Sequence, residues 1–94
     1  MEGNLVNLEC LCFCGNAHIT ELPEEIGKLY KLLELDISKT SIKQFPSKIT
    51  NLINLRVLDL CNVPININMI KIIIKFKKFE YLILSGRHKS NIKK

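Results

Sequence analysis

Leu32-Leu33-Glu34-Leu35-Asp36-Ile37-Ser38-Lys39-Thr40-Ser41-Ile42-Lys43-Gln44-Phe45-Pro46, followed by Ile49 and Leu52, is the stretch whose reading decides the fold. Leu35 and Ile37 are two apart, the period that puts side chains on one face of a strand. From Ile42 the apolar residues step by three and four through Phe45, Ile49 and Leu52, which suits a single helical or 3₁₀ turn. The pattern returns every 23 or 24 residues. Forward, Leu32, Leu35 and Ile37 become Leu55, Leu58 and Leu60, and Ile42 and Ile49 become Ile65 and Ile72. Backward, Ile42, Phe45, Pro46, Ile49 and Leu52 become Ile19, Leu22, Pro23, Ile26 and Leu29. A period of this length marks a solenoid, in which each unit buries its apolar face only against its neighbours.

Four copies of the strand motif L-x-x-L-x-L can be read, at Leu8–Leu11–Phe13, Leu32–Leu35–Ile37, Leu55–Leu58–Leu60 and Phe79–Leu82–Leu84. Asn16 follows the first copy, and Thr40, Val63 and Arg87 take its place in the others. Pro23 and Pro46 stand where short helical turns begin, a place suited to proline's fixed φ, and Glu24 and Glu25 lie at the acid-favouring end of the first turn. The third copy has Asn68 and Met69 instead of Leu-Pro or Phe-Pro. There the spacing predicts a longer helix over 70–79, capped by Asn66 or Asn68. Ile70, Ile73, Ile74 and Phe76 would form its buried side, and Lys71, Lys75 and Lys78 its solvent face. Residues 85–94 read as a frayed polar, basic tail.

The run L-x-x-L-x-L-x-x-N/T-x-x-I-x-x-L-P-x-x-I-x-x-L, carried by three copies in register over about residues 5–86, resembles the leucine-rich repeat family. The L-P-x-x-I-x-x-L ending is similar to the intracellular class seen in plant resistance receptors and in Ras-binding and Scribble-type scaffolds. The A/T-type residue bias described below also resembles that of short leucine-rich repeat proteins of insect poxviruses. The resemblance implies an α/β solenoid arc with about four parallel strands on the concave side and short helices or 3₁₀ turns on the convex side. It implies ligand binding on the concave sheet. The expected organisation is a repeat domain over 1–86, with repeats at 5–28, 29–51, 52–75 and a partial one at 76–86, and a basic tail at 87–94. Leu5 aligns with Leu29 and Leu52, so the chain begins in mid-repeat, and neither end shows a cap. Open apolar ends invite self-association or continuation of the stack.

Composition narrows the function. Hydrophobic residues make up 47% and charged residues 24% of the 94, ordinary values for one small globular domain. Isoleucine, lysine and asparagine supply 35 residues, a bias of A/T-rich genomes. The net charge is +5, which permits contact with anionic surfaces without demanding it. No signal sequence precedes the repeats, and no run approaches the roughly 18 apolar residues of a membrane span. An intracellular, cytoplasmic setting with reduced thiols is expected.

In a strand the residues between the inward leucines point out onto the concave face. Three columns follow: Cys10, Glu34, Val57, Tyr81; Cys12, Asp36, Asp59, Ile83; and Cys14, Ser38, Cys61, Ser85. The candidate partner-binding set is Glu34, Asp36, Ser38, Val57, Asp59, Cys61, Tyr81 and Ile83. It joins an acidic centre to an aromatic and aliphatic flank, and tyrosine with an apolar collar is a common anchor at protein interfaces. Against this stands the plain reading that Asp36 and Asp59 are solvated surface charges.

Little points to chemistry. Cys10, Cys12 and Cys14 alternate along one segment, and neighbours on an extended strand are about 7 Å apart, beyond disulfide reach. The spacing is also poor for tetrahedral zinc, so they read as small apolar residues, with no metal and no cofactor expected. Thiols on an edge strand could still oxidise between chains. His18 and His88 are isolated, no glycine run forms a phosphate loop, and an open arc offers no water-excluding cleft. The chain therefore reads as a non-catalytic module binding a protein partner. The alternative is a basic surface for nucleic acid or anionic membrane, using the 70–79 helix and the tail. Phe76, Phe79 and Tyr81 are the only aromatics near it, and they read as core or sheet residues rather than base-stacking platforms.

Overall fold

The computed structural model describes residues 6–85 and 88–91. Strands β1 (Cys10–Cys12), β2 (Glu34–Asp36), β3 (Val57–Asp59) and β4 (Tyr81–Ser85) lie side by side in chain order, all parallel. Each is short because the chain must turn within one repeat, yet the ladder runs on past it. Phe13 N donates to Asp36 O, Ile37 N to Asp59 O and Leu60 N to Ile83 O at 2.8–3.0 Å. The chain then leaves the sheet through a left-handed residue: Gly15 at φ 80°, Lys39 at 58° and Asn62 at 63°. Glycine and asparagine take this conformation readily; lysine does so at a cost. The next residue ties the turn. Asn16 Nδ2 donates to Phe13 O at 2.9 Å and Thr40 Oγ1 to Ile37 O at 2.8 Å. Val63 has no side-chain donor, and there only its backbone N–H reaches Leu60 O, at 2.9 Å.

The convex side carries 3₁₀ turns at Glu24–Lys28 and Ser47–Asn51, entered from Pro23 and Pro46 at φ −70° and −66°. They stack on each other. Glu24 Oε1 accepts from Lys48 N at 3.0 Å and from the Ser47 hydroxyl at 3.2 Å, so its carboxylate satisfies the start of the neighbouring turn. The approach is so close that a Cβ on Gly27 would lie 2.7 Å from the Lys48 carbonyl oxygen.

The third convex segment is helix α1, Ile67–Ile73, with Asn66 as cap accepting from Met69 N at 3.0 Å. This corrects the expected 70–79 span. Asn66 supplies the cap and Met69 and Ile73 turn inward, while Ile70 and Ile74 are 43% and 60% exposed. Ile73 and Phe76 face the core as expected, while Met69 takes the inward place expected of Ile70 and Ile74. Lys75 and Lys78 lie past the helix end and share no helical face with Lys71.

Residues 88–91 are the second correction. They form β5 (His88–Asn91), antiparallel to β4 with Tyr81 opposite Asn91 and Ile83 opposite Lys89. The sheet therefore has five strands, and its β4 edge is covered by the segment expected to fray. The expected start at Leu5 and the tail residues Arg87, Lys93 and Lys94 lie outside the described residues.

Leu22, Ile26, Leu29, Leu32, Leu35, Ile37, Ile42, Phe45, Ile49, Leu52, Leu55, Leu58 and Leu60 form one continuous core, extended by Val63, Met69, Ile73, Phe76, Phe79 and Leu82. Around it, side-chain bonds step from one repeat to the next. Ser41 Oγ donates to Ala17 O at 2.6 Å, Asn54 Nδ2 to Tyr30 O at 2.7 Å, and Asn66 Nδ2 to Lys43 O at 2.8 Å. Each joins equivalent loops 23 or 24 residues apart, so polar contacts as well as leucines keep the repeats in register.

Candidate functional site

The strand register assembles the concave columns. Cys10, Glu34, Val57 and Tyr81 are successive partners across β1 to β4, and so are Cys12, Asp36, Asp59 and Ile83. Parallel strands lie about 4.8 Å apart, so column neighbours are in contact range. Glu34 is exposed, and Asp36, Val57, Asp59, Cys61, Tyr81 and Ile83 are half-buried. Ser38, included in the candidate set, is only 8% exposed and offers little to a partner.

Asp36 and Asp59 are more constrained than solvated charges. Asp36 Oδ1 accepts from Ser38 N and Asp59 Oδ1 from Cys61 N, each at 2.9 Å. This two-residue loop between side chain and backbone N–H is the local bond that aspartate favours. It holds both carboxylates in one orientation at the end of their strands.

Two adjoining recesses open on this face. One of about 380 Å³ is lined by Cys10, Leu33, Glu34, Arg56, Val57, Glu80, Tyr81 and Ile83. The other, of about 290 Å³, is lined by Cys10, Leu11, Cys12, Glu34, Leu35, Asp36, Val57, Asp59 and Ile83. At the rim Arg56 grips Glu80 through both oxygens, Nε at 3.0 Å and Nη2 at 2.8 Å. Sequence reasoning missed this pair because Arg56 and Glu80 each precede a strand and meet only across the β3–β4 register.

The cysteines depart from expectation. Cys12 ends β1, but Cys14 already belongs to the turn that contains Gly15. Their Cα atoms are 5.4 Å apart and their sulfurs are joined as a disulfide. The estimate of about 7 Å assumed a strand extended through Cys14; Gly15-Asn16 was the turn signal that contradicted it. The two sulfurs and an Asp36 carboxylate oxygen lie within 4.8 Å of one another, a grouping able to hold a metal only when the disulfide is open. Cys10 and Cys61 are free thiols. Cys10 Sγ donates to Glu34 Oε2 at 3.6 Å. Partial desolvation, followed by the charge and hydrogen bond of Glu34 and the charge of Glu9, raises the Cys10 pKa above the ordinary thiol value.

A stack of parallel strands at a period of 23 to 24 residues, with 3₁₀ turns behind them, has a match among known families. The sequence profile described as leucine-rich repeat region covers residues 2–93. The chain belongs to the leucine-rich repeat family. Proteins of this family generally mediate protein–protein interaction and are generally non-catalytic binding modules. A comparison with curated proteins finds no match. Among the described residues of this leucine-rich repeat chain, no helix is long and apolar enough to cross a membrane.

Proposed function

We propose that this leucine-rich repeat protein captures a protein partner on its concave sheet, through a basic segment that also carries an apolar side chain. The observation that supports this is the alignment of Glu34, Asp36 and Asp59 beside Val57, Tyr81 and Ile83, over two contiguous recesses. The carboxylates are held in place by backbone N–H groups, so little ordering is lost when a cation meets them. Tyr81 and Ile83 supply apolar contact area beside the charge.

The test uses Asp36→Asn, Asp59→Asn and Tyr81→Ala together. Asparagine keeps the Oδ1 acceptor for Ser38 N and Cys61 N, so the fold should survive while the charge is lost. Capture of a partner from a cell extract should fall at least tenfold with an unchanged circular dichroism spectrum. A control with Lys71→Ala and Lys75→Ala on the convex side should leave capture intact. Undiminished capture by the triple variant would exclude the concave face.

A further inference from the structure

We propose that Cys12 and Cys14 form a reversible dithiol–disulfide pair at the β1 end of the concave sheet, exchanging with small disulfides and favouring cationic ones. The strand ends at Cys12, and the bend at Phe13 brings the Cys14 Cα to 5.4 Å from that of Cys12, inside the range that a disulfide spans. Both residues are exposed, so a small reagent can reach either sulfur. A structural role is a poor account of this bond. Disulfides stabilise a fold chiefly by closing long loops, and this one joins residues two apart. Opening it releases almost no chain, so the protein can cycle between the two states while staying folded.

The neighbouring groups select the pair and the reagent. Cys10 extends along β1 with its thiol on Glu34 Oε2, and its raised pKa keeps it protonated and slow. Cys61 stands on β3's exit, two strands from β1. Asp36 Oδ2 lies 3.7 Å from Cys12 Sγ, and in the open form that thiol donates to it. Cys14 Sγ makes no hydrogen bond to a carboxylate among the described residues, and from its exposed turn it is the freer of the two to attack. Its thiolate, having lost a proton to water, displaces one thiolate from the small disulfide and forms a mixed disulfide. Cys12 then loses its proton, attacks the Cys14 sulfur and expels the second thiolate. Two protein thiols are oxidised and one small disulfide becomes two small thiols. Glu9, Glu34 and Asp36 make the approach locally negative, and charges this close act within a Debye length of about 8 Å at physiological salt.

The experiment starts from the fully reduced chain at low ionic strength. Cystamine or oxidised glutathione is added, samples are acid-quenched, free thiols are alkylated, and the products are mapped by mass spectrometry. Two of the four cysteines should be lost as a Cys12–Cys14 link within one chain, at a rate independent of protein concentration. Dithiothreitol should restore both. Cys10→Ser should behave as the parent, Cys14→Ser should form no intrachain link, and cystamine should outpace oxidised glutathione severalfold. Links between chains that grow with concentration, a pair that includes Cys10 or Cys61, a mixed disulfide that never closes, or faster reaction with oxidised glutathione would each overturn the proposal.

Discussion

Leu11, Phe13 and Ile19 in the first repeat are only partly buried, whereas their counterparts Leu35, Ile37 and Ile42 in the second are 1%, 0% and 0% exposed. The apolar pattern is the same and the register is shared. The difference is neighbours: β2 has a strand on each side, while β1 is the sheet edge among the described residues. On the convex side the first repeat is not poorer, since Leu22, Ile26 and Leu29 are buried where its 3₁₀ turn packs on the next. In a solenoid the burial of a motif is a property of its position in the stack.

Truncation should expose that difference most strongly. Leu35→Ala or Leu58→Ala should cost about 2–5 kcal/mol, enough to threaten folding in so small a domain. Leu11→Ala, already half-solvated, should cost about 1 kcal/mol. Urea unfolding checks both, and equal losses would break the contrast. The next largest effect belongs to Gly27, where the two 3₁₀ turns touch backbone to backbone. Gly27→Ala should cost about 1–3 kcal/mol by forcing the turns apart. Thr50→Ala, at the equivalent and exposed place one repeat on, should stay within about 0.5 kcal/mol. A tolerated Gly27→Ala would mean that the turns separate easily.

The turns after the strands separate the repeats more finely. Gly15 and Lys39 occupy the same left-handed position, and only Lys39 carries a Cβ there. Lys39→Gly should therefore raise stability, by about 0.5 kcal/mol once glycine's larger unfolded-state entropy is counted. The smallest effect is on reactivity. Because its pKa is raised, Cys10 should be alkylated more slowly than free cysteine near pH 8 and should catch up only as the pH climbs. Glu34→Gln should lower that pKa and speed the reaction. Rates unchanged by Glu34→Gln would remove the carboxylate as a cause.

The layout of the concave face was legible in the sequence. The columns Cys10–Glu34–Val57–Tyr81 and Cys12–Asp36–Asp59–Ile83 follow from aligning the four L-x-x-L-x-L copies, because the inward leucines set register as well as fold. Other features were hidden for identifiable reasons. The bounds of α1 depended on whether Asn66 or Asn68 formed the cap, and with Asn66 in that place Met69 joins Ile73 and Phe76 in the core while Ile70 and Ile74 face outward. The bonds from Asp36 and Asp59 to backbone N–H groups are local, yet L-D-L reads equally well as a solvated charge. β5 is polar and short, with no period to announce it; what makes it a strand is the open edge of β4.

Sequence alone determined the period, the inward leucines, the parallel strand order and the family, since all of these rest on spacing along one chain. Tertiary structure decided which copies are buried, that Gly27 must be small, that Glu24 serves the next repeat's turn, and that Cys14 bends back to Cys12. Those outcomes depend on distances between backbones brought together by stacking and turning. Residue type and spacing do not encode such distances until the neighbouring repeat is in place.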